Sequence, residues 1–95
     1  MKTQVSLSRD KYFPVTVVEI SSADRPGLLA VIASVFVELG INLVSARITT
    51  LGEKIEDVFY ITDLEGNCIE DTPLGERLKS RICEELDDYV EKLAS

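Results

Sequence analysis

The six residues Asp24-Arg25-Pro26-Gly27-Leu28-Leu29 constrain the fold of this 95-residue chain more than any other stretch. They join a β-branched run, residues 15–20, to an apolar run of helical spacing, residues 28–39. Pro suits the first turn of a helix, where its missing N–H has no intrahelical partner. Asp ahead of it is a good helix N-cap, and the adjacent glycine removes a side chain that would block approach to the backbone. The pattern predicts a helix over residues 26–39 capped by Asp24, entered directly from a strand. Free N–H groups and the positive dipole end at such a terminus favour an anion such as a carboxylate. The plainer alternative is that Asp24 does no more than cap the helix.

The remaining runs complete a small sandwich. Leu28, Leu29, Ile32, Val35, Phe36 and Leu39 form one apolar helix face, and Gly40 is placed to end the helix. Residues 41–50 alternate as a strand, with Val44, Ala46 and Ile48 on one face and Ser45, Arg47 and Thr49 on the other. Leu51-Gly52-Glu53-Lys54 reads as a tight turn into a third strand over residues 55–64. That strand carries Asp57, Phe59, Ile61 and Asp63 on one side. Thr72 and Pro73 fit the N-cap and first position of a second helix over residues 72–92. Leu74, Leu78, Ile82, Leu86, Tyr89, Val90 and Leu93 are its core stripe, and its acidic face reads as solvated.

Strand, helix, strand, hairpin and helix make most of a βαββαβ domain, and no strand run follows the second helix. Residues 4–8 alternate as a short strand that can fold back on residues 15–22 and take the vacant edge. The expected fold class is therefore α+β: a ferredoxin-like ββαββα sandwich over residues 1–95, with a four-stranded antiparallel sheet and both helices on one face.

Composition excludes several functions. A net charge of −7 argues against nucleic acid, whose phosphates would be repelled. No apolar run is long enough for a membrane span, and no signal-peptide pattern opens the chain. The chain has no histidine, which most general-base, nucleophile-activating and metal chemistries use. No paired-carboxylate cleft, phosphate loop or dinucleotide fingerprint is present, so no catalytic residues, metal or cofactor are assigned. Cys68 and Cys83 lack metal or redox spacing and fit free thiols in a reducing cytoplasm.

Asp24-Arg25-Pro26-Gly27-Leu28-Leu29, Leu39-Gly40-Ile41-Asn42-Leu43, Ala46-Arg47-Ile48-Thr49-Thr50-Leu51-Gly52-Glu53 and Glu56-Asp57-Val58-Phe59-Tyr60-Ile61 together resemble an ACT domain. The variant is similar to the C-terminal ACT repeats of bifunctional PII uridylyltransferase/uridylyl-removing enzymes, over residues 15–93. The resemblance implies a regulatory module that binds a free amino acid, with glutamine expected first. It implies a ligand held by the loop at residues 23–28 together with the start of the next strand, residues 41–43. It also implies a homodimer, or pairing with another ACT domain, with the ligand loops at the interface.

Backbone N–H groups of Gly27 and Leu28 would take the ligand carboxylate, and Asp24 or the Asn42 side chain its ammonium. Asn42 could instead be a turn residue after Gly40. Arg25 is either an anion partner or a surface charge. Arg47 and Tyr60 either meet a partner surface or lie on an open sheet face. Pro26 shapes the loop. The alternative function is a dimerisation or interaction module that binds no ligand.

Overall fold

The structure, a computed structural model, describes residues 2–94; Met1 and Ser95, the two ends of the expected 1–95 domain, lie outside the described residues. The elements are β1 (Gln4–Arg9), β2 (Thr16–Ala23), α1 (Leu28–Leu39), β3 (Ile41–Arg47), β4 (Thr50–Leu51), β5 (Lys54–Asp63) and α2 (Pro73–Ala94). All strands are antiparallel, in the order β1-β2-β5-β3, with the short β4 pairing the first residues of β5. β1 occupies the edge expected for it, running Gln4 to Arg9 against Ser21 to Thr16.

Alternation decides which face is covered. Val18 and Ile20 of β2 and Ile55, Phe59 and Ile61 of β5 point inward and are buried. They meet Leu28, Ile32, Val35 and Phe36 of α1 and Leu78, Ile82 and Leu86 of α2 in one core. Both helices therefore cover the same face, the arrangement that one apolar sheet surface requires. Phe36 and Phe59 lock α1 to the sheet edge-to-face, with ring centroids 5.4 Å apart.

Helix α2 begins as its sequence predicts. The Thr72 hydroxyl accepts from the Gly75 N–H at 3.2 Å, with Pro73 in the first helical position. The first turn of α2 runs hard against the Ile69 carbonyl, where any Cβ on Gly75 would overlap that oxygen.

Two boundaries differ from expectation. α1 starts at Leu28, not at Pro26, and has no side-chain cap. The strand expected over residues 41–50 is divided: a bulge shifts register between Leu43 and Ser45, and Ile48–Thr49 separate β3 from β4. Alternation along this stretch does not lead to burial, because β3 is an edge strand. Leu43, Val44 and Ile48 stay about half exposed.

Candidate ligand-binding loop

Arg25-Pro26-Gly27-Leu28 forms a type II β-turn. The Leu28 N–H donates to the Arg25 carbonyl at 3.3 Å, and Gly27 has φ 81° and ψ 3°, the angles of the third residue of that turn. Pro26 thus serves the second position of a turn and not the first turn of a helix; its fixed φ suits both. Asp24 is displaced from the cap position as a result. Its side chain is exposed, and its N–H is spent on the Glu53 carbonyl at 2.9 Å, tying the loop to the turn before β5. The half-buried Arg25 folds back, donating to the Asp24 carbonyl at 2.8 Å.

The N-terminus of α1 is left open. Ala30 and Val31 donate to the Gly27 carbonyl, and Leu28 to Arg25. Among the described residues, the N–H groups of Gly27 and Leu29 have no acceptor. The first turn of α1 contains no acidic residue to answer the positive end of the helix dipole. Of the two donors expected for a carboxylate, Gly27 keeps its N–H free, while Leu28 is buried with its N–H already committed; Leu29 supplies the second free donor. A shallow hollow of about 460 Å³ lies beside the loop, lined by Ala23, Arg25, Leu51, Glu53 and Lys54. Another hollow, about 490 Å³, lies on the open sheet face around Glu19, Arg47 and Glu56 and does not reach the loop.

The structure does not bring Asn42 to this loop. Ala23 pairs Lys54 at one end of β5, whereas Asn42 pairs Thr62 near the other. At 3.3 Å per residue along β5, the two lie about 26 Å apart. Asn42 is part of β3, donates to the Thr62 hydroxyl at 3.3 Å, and has no unusual backbone, so the turn-residue reading is set aside. Arg47 is exposed on the same edge strand and Tyr60 is half-buried on β5.

Two residues beneath the loop carry more than the sequence indicates. Tyr89, a member of the α2 core stripe, packs against the core and also donates its hydroxyl to the Pro26 carbonyl. A Cβ on Gly27 would stand 2.6 Å from that hydroxyl oxygen. Asp57 is 1 % exposed among core residues of β5, on the side that alternation shares with Phe59. Its carboxylate accepts from the Thr49 N–H at 3.1 Å and so fastens the gap between β3 and β4. Burial pushes the Asp57 carboxyl above its ordinary range; the Thr49 N–H opposes this and the neighbouring Asp24 charge adds to it.

One flank of the molecule is apolar and open. Leu29 and Val37 of α1 and Leu43, Val44 and Ile48 at the β3 edge are exposed, on two elements that pack against each other. Both cysteines are free thiols, and no helix among the described residues is long and apolar enough to cross a membrane.

Comparison with known proteins agrees with this architecture. The family model for the ACT domain matches residues 16–83. A bifunctional uridylyltransferase/uridylyl-removing enzyme of Pseudomonas fluorescens is 48 % identical over 83 residues, covering 87 % of this chain and 9 % of the relative. The enzyme of the same name from Azotobacter vinelandii is 45 % identical over 91 residues, covering 93 % of this chain and 10 % of its own. The chain thus spans about a tenth of the length of these relatives. No solved structure gives a significant match.

Proposed function

The chain belongs to the ACT domain family, and from that premise we propose that it is an amino-acid-sensing regulatory domain with L-glutamine as its first expected ligand. One observation carries the reading: α1 opens at the Asp24–Leu28 loop with no side-chain cap, no acidic residue in its first turn and, among the described residues, two unspent N–H donors. A ligand carboxylate at Gly27 and Leu29 would satisfy both donors and answer the dipole. Asp24, exposed at the rim of the loop, is the acceptor for the ammonium. Glutamine is named from the resemblance to uridylyltransferase-type ACT repeats; the preference for an anion comes from the loop.

The open flank supports pairing as part of this function. A two-fold axis beside β3 would set two β3 edges antiparallel and join the sheets. The start of one β3 would then lie along the end of the other, so that Asn42 of the partner subunit approaches the loop that its own chain keeps distant. Within a longer protein like the curated relatives, the domain would sense and other segments would carry the catalysis. The second reading, a pairing module without ligand, draws on the same exposed apolar flank.

Titration calorimetry with L-glutamine decides between them. The parent is expected to bind and Asp24→Asn to bind at least about tenfold more weakly, since a hydrogen bond to a charged group contributes roughly 1.5–3 kcal/mol. Equal binding by both proteins would move the site elsewhere. Absence of heat with all twenty amino acids would leave the pairing module.

A further inference from the structure

We infer that Tyr89 is a positioning residue for this loop: its hydroxyl holds the Pro26–Gly27 peptide in the one orientation that presents the Gly27 N–H to a ligand. The inference rests on the proposed ligand loop and adds how that loop is kept competent.

A type II turn differs from a type I turn mainly by rotation of its central peptide through about 180°. Here that peptide is Pro26–Gly27. Glycine is at ease on both sides of the rotation, because it adopts φ near +80° or near −90° without a Cβ penalty. The turn's own hydrogen bond does not choose between the two states, since the Leu28 N–H to Arg25 carbonyl bond is common to both turn types. The deciding contact comes from α2. Tyr89, 63 residues further along the chain, donates its hydroxyl to the Pro26 carbonyl.

The peptide is planar and trans, so its carbonyl and its N–H point in opposite directions. Drawing the Pro26 carbonyl toward α2 aims the Gly27 N–H away from α2, where it has no acceptor among the described residues. After a flip the N–H would face Tyr89 and the carbonyl would face the ligand, replacing a donor by an acceptor that repels a carboxylate.

Gly27 and Tyr89 are matched in space as well. The Tyr89 hydroxyl fills the space that a side chain at position 27 would need, its oxygen lying 2.6 Å from where a Cβ would stand. Tyr89 is itself well anchored. It follows Leu86 by three residues on the buried stripe of α2, and its ring packs against the core. Two residues earlier, Asp87 accepts from the Thr3 N–H at 2.9 Å, fixing the same part of α2 to the start of the chain's first strand.

Tyr89→Phe tests the inference, since it keeps the ring and its packing and removes only the hydroxyl. In the ligand-free protein, NMR relaxation dispersion should show microsecond-to-millisecond exchange at the Gly27 and Leu28 amides of Tyr89→Phe that is absent from the parent. Exchange at Leu78 and Ile82 should match the parent. Glutamine affinity should fall measurably, by up to about fivefold, since affinity scales with the competent population and one hydrogen bond of ordinary net worth changes the ratio of the two states by about that factor.

A merely structural tyrosine would lower the melting temperature without introducing exchange at Gly27. Gly27 and Leu28 signals as quiet in Tyr89→Phe as in the parent would overturn the inference. So would unchanged glutamine affinity alongside clear exchange. If the parent binds no amino acid, the functional reading fails separately, and the ligand-free comparison alone decides whether Tyr89 holds the peptide.

Discussion

Gly27 shows how one residue answers to several demands. From sequence, its missing side chain suggests room for a ligand backbone. In the structure it supplies the positive φ of a type II turn and leaves space for the Tyr89 hydroxyl. Gly27→Ala should therefore cost stability with no ligand present. A left-handed backbone costs a non-glycine residue about 1–2 kcal/mol, and displacing the hydroxyl loses a hydrogen bond of about 1 kcal/mol. Urea denaturation should show a loss of roughly 2–3 kcal/mol, smaller in a Tyr89→Phe background, where no hydroxyl overlaps the new methyl. Asp57 makes a pH-dependent prediction. Its folded pKa is raised, chiefly by burial, so the folded state holds its proton more tightly than the unfolded chain does. The penalty is absent below the unfolded value of about 3.9 and is fully felt above the folded one, so this group lowers stability as pH rises through that window. Asp57→Asn keeps an acceptor for the Thr49 N–H and carries no charge. Its stability relative to the parent should rise between acid and neutral pH, as followed by denaturation at several pH values; a constant difference would contradict the assignment.

At the level of elements, what the sequence discloses depends on whether local chemistry has one solution or two. The start of α2 is legible because Thr72 and Pro73 specify a cap and a first helical residue together. The start of α1 falls two residues later than the pattern predicts because Pro26 suits a helix start and a turn equally, and only Gly27's backbone angles separate them. The inward faces of β2 and β5 follow from alternation, Asp57 included. The exposure of β3 does not, because alternation says nothing about whether a helix lies above a strand. Tyr89 falls on the stripe that periodicity assigns it, but its hydroxyl contact depends on where α2 passes the loop, a long-range relation that periodicity does not encode. The β3 edge carries its own prediction. A long apolar edge invites pairing, and a lysine on it discourages pairing. Light scattering should find the parent self-associated at micromolar concentration and Val44→Lys monomeric. Val44 is about half exposed, so the monomer's stability should change by no more than about 0.5 kcal/mol.

Across the whole molecule, the antiparallel sheet sorts its features to two ends. The uncapped helix start, the β4–β5 turn and Tyr89 gather at one; Asn42 and the β1–β2 hairpin lie at the other. The family and the strand order are accessible from sequence, whereas this separation requires the register of β5. It also has a thermodynamic consequence. If a complete site needs the loop of one copy and Asn42 of the partner subunit, ligand binding and self-association are linked by mass action. Glutamine should tighten the dimer, and dilution should weaken glutamine binding, although neither the loop nor Asn42 changes. Calorimetry at protein concentrations above and below the dissociation midpoint should give different apparent affinities. In Val44→Lys the affinity should be weak and independent of concentration. The domain would then report its own abundance as well as that of the amino acid.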